Sequence, residues 1–326
     1  MKTVIVLGLM NSGSGAVHDY LASRKDLEAP FNTSEFKICA DPAGLHNLYI
    51  NFYKNFSFFN PSNAISDFET YIKKIQDYTV TEKHGVPKKL FKNNFYEISL
   101  NFLKKVTKLT YYGRPEFSNF RINNFQNFIL KFKKKKNNFY PVRIPVNEKK
   151  FILESQKYVK KVLLNNIGKK KLAIKKIVVL NQAVNLFNPI ESSQYFKNRK
   201  IIIVTRDPRD MFSSMKTRRS KGTPSYDVKI FVRWFKECFD QNTFKKKTNN
   251  KLILKIKYEN FVNNFSKENV KICKFLNIKS SYEYKKNLPK PFNLNSSKKN
   301  IYKSKKFLTK FENNFIKRKL KKFLQW

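Results

Sequence analysis

Cysteine is scarce. The 326 residues hold three, Cys39, Cys238 and Cys273, an odd and widely spaced set. It excludes a disulfide scaffold and offers no zinc-ligand spacing. Three histidines leave little material for a His-based metal site. No apolar run reaches the ~18 residues of a spanning helix, so none is expected. Acidic residues are few as well, with 23 Asp+Glu against 68 Lys+Arg.

What remains is basic and yet apolar enough to fold. The net charge is +45, hydrophobic residues make up 41% and aromatics 15%, with 32 Phe. That composition excludes a disordered basic tail, and the length suits one large domain or two modest ones. A positive field attracts nucleic acid, anionic lipid headgroups or a polyphosphorylated ligand. However, 57 of the basic residues are Lys and only 11 are Arg. Base and phosphate readers favour the bidentate Arg fork, and no zinc finger, basic heptad helix or paired recognition aromatics occur. No specific nucleic-acid partner is expected, whereas peripheral contact with an anionic membrane stays open. The codon bias of an AT-rich genome is the favoured account of most individual lysines, although it does not by itself produce a net charge of +45. Val4–Met10 after Met1-Lys2-Thr3 is short for a signal peptide and reads better as a buried strand, giving a cytoplasmic expectation.

Along the chain, residues 3–9 predict a strand, then a Gly/Ser turn, then a helix to about Leu21. An extended segment is expected near Thr33–Ile38. From Asp41 to about Lys175 the pattern is mostly helical, with breaks at Phe56–Phe59 and Tyr111–Pro115. The Lys133–Lys136 run reads as an exposed loop or helix end. Strand signals return at Ile177–Leu180, Ile201–Val204 and Leu252–Ile256, each ahead of a helical stretch. This is the rhythm of an α/β fold, a parallel sheet flanked by helices. The simplest organisation is one domain over 1–326, with a core of 1–40 and 175–326 and a helical insertion at about 41–174.

Two segments carry chemistry. Gly8-Leu9-Met10-Asn11-Ser12-Gly13-Ser14-Gly15 lies between strand and helix, where backbone N–H groups cradle anions. It lacks the Lys-Ser/Thr of a nucleotide-triphosphate loop and the third glycine of a dinucleotide fingerprint. Alone, it is matched equally by a tight turn without a ligand. The second segment is Arg206-Asp207-Pro208-Arg209-Asp210, in which Asp207 suits an N-cap and Pro208 a first helical position. The preceding strand brings Arg206 to the sheet's C-terminal edge, and Ser214 follows two helical turns on. A structural ion pair for Arg206 is the competing reading.

Together these segments resemble the sulfotransferases that use 3′-phosphoadenosine 5′-phosphosulfate (PAPS). Asn11-Ser12-Gly13-Ser14 is similar to that family's K/R-S-G-T/S loop, and Arg206 with Ser214 to its 3′-phosphate motif. Tyr258-Glu259-Asn260-Phe261, Lys274–Ile278 and Ser297-Lys298-Lys299-Asn300-Ile301 are similar to three further family segments. The resemblance implies a P-loop-like sulfotransferase fold and PAPS as co-substrate, with no metal. Asn11, Ser12, Gly13, Ser14 and Gly15 would hold the 5′-phosphosulfate, and Arg206, Ser214, Ser297, Lys299 and Asn300 the 3′-phosphate. Asn11 stands where the family usually has Lys or Arg, and Tyr302 where it has Gly. The acceptor would be a hydroxyl or amine of a glycan or small metabolite. Its base would be Glu35, with Asp41 and His46 next. The alternative is a non-catalytic nucleotide- or polyanion-binding protein that kept the fold.

Overall fold

The computed structural model describes residues 1–31, 34–81, 87–92, 94–113, 140–167, 177–218, 223–240, 251–281, 283–285 and 292–325. The chain divides into two compact units. One takes Met1–Lys37 and Ile167–Trp326, the other Ile38–Thr81 and Pro87–Asn166.

The first unit opens with β1 (Lys2–Gly8), α1 (Ser14–Ser23) and the short β2 (Leu27–Glu28). The second unit includes two antiparallel pairs, β3 (Thr79–Thr81) with β4 (Pro87–Lys89) and β5 (Thr107–Gly113) with β6 (Tyr140–Pro145). The chain then returns through β7 (Ile177–Asn181), β8 (Asn198–Thr205) and β9 (Ile253–Lys257). A five-stranded sheet forms in the order β2-β7-β1-β8-β9, and every pairing in it is parallel.

The strand sequences explain their position. Parallel strands covered by helices on both faces need unbroken apolar runs, not alternation. Val4–Leu7 are each 0% exposed, and all five residues of β7 are buried. β8 starts on the hydrophilic Asn198-Arg199-Lys200 and turns fully buried at Ile201. Val4, Val6, Val179, Ile202, Val204 and Ile256 share one core with Val17 and Leu21 of α1.

The order of strands fixes where a ligand can enter. From β1 the chain passes through α1 to β2 on one side of the sheet, and from β8 it passes to β9 on the other. The segments leaving β1 and β8 therefore diverge and open a crevice at the C-terminal edge, the switch point of an open α/β sheet. In register, Gly8 faces Val204. The loop after Gly8 and the residue after Thr205 are thus neighbours.

Three expectations change. The segment near Thr33–Ile38 is no regular strand; residues 32–33 lie outside the description, and Glu35 makes an isolated parallel bridge to Asn181. Residues 41–174 are not purely helical, since Thr107-Lys108-Leu109-Thr110-Tyr111-Tyr112 pairs with β6 through a bulge. Its β-branched and aromatic residues favour a pleated surface, a preference that the surrounding Lys and Asn obscure. Asp41-Pro42 does not start a helix; the chain turns there, Gly44 N–H donating to the Asp41 carbonyl at 2.8 Å, and the helix begins at Leu45. The Lys133–Lys136 run and Arg114-Pro115 lie outside the described residues.

Ile202 is fully buried in β8. Ile202→Ala is expected to lower unfolding free energy by about 3 kcal/mol through lost burial and a cavity. Urea denaturation measures it, and a loss below about 1 kcal/mol would contradict the packing described.

Candidate functional site

The turn after β1 is built for backbone exposure. Asn11 and Gly13 take left-handed conformations at φ 61° and 88°. Glycine is required at 13, because a Cβ there would lie 2.2 Å from Cδ2 of the Tyr258 ring. Gly13 is also the N-cap of α1, which has no side-chain cap hydrogen bond and no acidic residue in its first turn. The first-turn N–H groups and the positive end of the helix dipole are left for an anion. A Cβ added at Gly15 would meet nothing within 4 Å, so the helix start stays open. Ser12 is 1% exposed and its Oγ has no hydrogen-bond partner among the described residues. Ser14 Oγ accepts from Gln182 Nε2 at 3.3 Å, and the same nitrogen donates to the Gly8 carbonyl at 2.9 Å.

Arg206 meets this turn from β8. Its Nη1 donates to the Asn11 carbonyl at 2.9 Å and to Ser214 Oγ at 3.2 Å, while Nη2 donates to the Asn300 carbonyl at 2.5 Å. No carboxylate pairs with it among the described residues. The guanidinium stands over the Tyr258 ring, 5.2 Å from its centroid. It is 6% exposed, and its Nε has no partner among the described residues. Burial lowers its pKa, against the opposing pull of Asp210, Tyr258 and Glu259.

Neighbouring side chains hold the motif in place. Asp207, fully buried, accepts from the Arg209 backbone N–H at 2.9 Å, so it caps the Pro208–Arg218 helix as expected. The Arg209 guanidinium pairs with it at 2.9 Å. Glu259 accepts from the Asp207 N–H at 2.8 Å, and burial pushes its carboxyl up. Asp210 accepts from the backbone N–H groups of Tyr302 and Ser304 at 2.9 and 2.8 Å. Tyr302 stands where the motif resemblance has Gly, and it takes a left-handed φ of 57°.

A cleft of about 580 Å³ is lined by residues of the loop, by Ala16 and Asp19 of α1, by Arg206, Arg218 and Tyr258, and by Phe292–Asn300 residues. It therefore brings together Asn11, Gly13, Ser14, Gly15, Arg206, Ser297 and Asn300. Ser214 joins them through Arg206. Ser297 accepts from Tyr258 OH at 2.9 Å through its carbonyl, and its Oγ bonds to Asn293. Lys299 is exposed and is not among the lining residues. Glu35 lies beside the end of β7, two strand spacings or about 10 Å from β1. Its carboxylate pairs with Lys37 at 2.8 Å. Asp41 and His46 belong to the other unit, where Asp41 accepts from Tyr71 OH at 2.7 Å and His46 stacks on Tyr49. Among the described residues no group of three or more His, Cys, Asp or Glu is placed to hold a metal.

Gln182 and Arg218 also belong to the site, although no sequence motif marks either. Gln182, at φ 48°, is the first residue beyond β7, on the edge where ligands bind. Arg218 donates from Nη1 to Asn11 Oδ1 at 3.2 Å. It lies four residues after Ser214 in one helix, hence on the same face, and that spacing was the available signal.

Gly13→Ala combines a left-handed backbone with a ring clash and should cost about 2–4 kcal/mol. Chemical denaturation decides it; a variant within about 0.5 kcal/mol of wild type would contradict the turn geometry.

A sulfotransferase domain from the curacin biosynthetic pathway is 15% identical, covering 98% of this chain and 97% of that one, with a TM-score of 0.43. The sulfotransferase domain of the Synechococcus PCC 7002 olefin synthase is 14% identical, covering 85% and 74%, at 0.41. A sulfotransferase from Mycobacterium tuberculosis H37Rv is 10% identical, covering 92% and 76%, at 0.38. No curated protein matches the chain. The model of the Sulfotransferase family matches residues 3–282. With that match spanning most of its length, the chain belongs to the sulfotransferase family.

Proposed function

We propose that the protein transfers a sulfuryl group from PAPS to a hydroxyl or amine of an acceptor, a glycan or small metabolite. The observation that carries the reading is Arg206, whose guanidinium joins the turn after β1, Ser214 and Asn300 around one cleft. Other features of this chain fit the nucleotide. Arg206 lines the cleft, and its Nε is a buried polar atom without a partner among the described residues that a phosphate oxygen would satisfy. The uncapped start of α1 suits a 5′-phosphosulfate. The cleft volume is in the range of a cofactor-sized pocket.

PAPS supplies an activated sulfuryl group on a phosphate leaving group. The residues of this chain bind and orient it, and Glu35 takes the acceptor proton. Ser12, Gly13, Ser14 and Gly15 hold the 5′ end through N–H groups and hydroxyls, with Gln182 fixing Ser14. Arg206 and Ser214 hold the 3′-phosphate, and Ser297 to Asn300 border it, Lys299 contributing charge from its exposed position. Such a transfer depends on positioning and electrostatic stabilisation.

The test is thermal stabilisation by adenosine 3′,5′-bisphosphate compared with ATP, together with transfer of labelled sulfate to a panel of acceptors. Wild type should respond to the bisphosphate in preference to ATP, and Arg206→Ala should lose at least about tenfold in affinity. An equal response to ATP would sink the Arg206 assignment. Uncharged Asn11 favours a second reading, a binder without catalysis, which predicts stabilisation with no labelled product. In the catalytic reading Glu35→Gln lowers kcat by about hundredfold or more, and wild-type turnover in that variant would remove Glu35 as the base.

A further inference from the structure

The cleft places its charges unevenly. The turn meant for the 5′ end, Asn11 to Gly15, contains no cationic side chain. Arg206 is committed elsewhere, since it is buried and donates to two carbonyls and Ser214. Lys216, on the helix that follows Arg206, is neutralised by both oxygens of Glu312 at 2.8 and 2.9 Å.

Arg218 is different. It ends the same helix, is exposed and lines the cleft. Its hydrogen bond goes to a neutral acceptor, Asn11 Oδ1, and no carboxylate pairs with it among the described residues. Burial, then Arg218 and Arg206, lower the pKa of Lys303 against the opposing pull of Asp210. The backbone explains why position 11 itself is uncharged. At φ 61° it lies in the left-handed region, where Asn is several-fold enriched. An amide there keeps the turn, and the charge arrives from the opposite wall.

We propose that Arg218 is the catalytic cation of the transfer, with Asn11 as the positioning residue that orients its guanidinium toward the 5′-phosphate. The inference rests on the PAPS reading above. In the step, the bond between sulfur and the bridging 5′-phosphate oxygen breaks, and its electron pair goes to that oxygen. A new bond forms from the acceptor oxygen or nitrogen to sulfur, and the acceptor proton passes to Glu35. Arg218 offsets the charge that grows on the departing phosphate, where a fixed donor contributes most to rate.

Calorimetry with three ligands separates this role from general attraction: adenosine 3′,5′-bisphosphate, adenosine 5′-monophosphate and adenosine 3′-monophosphate. Arg218→Ala should weaken the first two by about tenfold and leave the third within about twofold. Arg218→Lys should recover most of that affinity. With labelled PAPS, Arg218→Ala should lower kcat by about hundredfold. Equal loss on all three ligands, or no loss on any, overturns the inference. Arg206→Ala is the mirror control, losing the ligands that carry a 3′-phosphate. If wild type binds the bisphosphate and Arg206→Ala does not, the nucleotide reading stands whatever Arg218 does. If wild type binds none of the three, both fall.

Discussion

A guanidinium removed from water has to find its acceptors inside the protein, and Arg206 finds them in three distant places. Leaving a buried charge uncompensated costs several kcal/mol, so the segments that solvate it are held to fixed positions. The Asn11 carbonyl, Ser214 Oγ and the Asn300 carbonyl do that work, with the Tyr258 face beneath. The same ring also sets the limit on residue 13. One side chain thus ties the turn after β1, the helix that carries Ser214 and the segment at Asn300 to one another.

The acidic residues around it play complementary parts without touching it by hydrogen bond. Asp207 is consumed by Arg209 and by backbone N–H groups, and Asp210 by the N–H groups of Tyr302 and Ser304. Glu259 holds the Asp207 N–H. Each of these three carboxylates is thus taken up by architecture, and Arg206 and Arg218 outnumber Asp19, the one acid among the described residues that line the cleft. Such an arrangement favours a multiply charged anion over a neutral nucleoside.

The strands of the sheet were legible because parallel strands need continuous apolar runs, as in Val4–Leu7 and Ile201–Val204. The Arg206–Ser214 pair was legible because eight residues bring the helix face around to the strand end. Arg218 and Gln182 were not, although each obeys a simple rule. A single Arg in a chain with 57 lysines carries no compositional signal. A Gln after a strand has no motif, and its role comes from bonding Gly8 and Ser14 across the sheet. The helical pattern that runs from Asp41 takes hold only at Leu45 for a local reason, as the Asp41 carbonyl is taken by the Gly44 turn. The paired strands β5 and β6 escaped because their partner residues are distant in sequence, so no hairpin signal joins them.

The ties of the Arg206 segment also set an order of assembly. By residue 257 all five strands of the sheet have been synthesised, and their apolar faces can be buried together. Arg206, Asp207 and Asp210 still await Asn300, the Gln325 N–H and the Tyr302–Ser304 turn. A growing chain therefore holds a sheet edge with unsatisfied charges until residues 300–325 follow. The wall of the cleft at residues 292–300 is made after every strand of the sheet, so it is added to a core whose strands are already present.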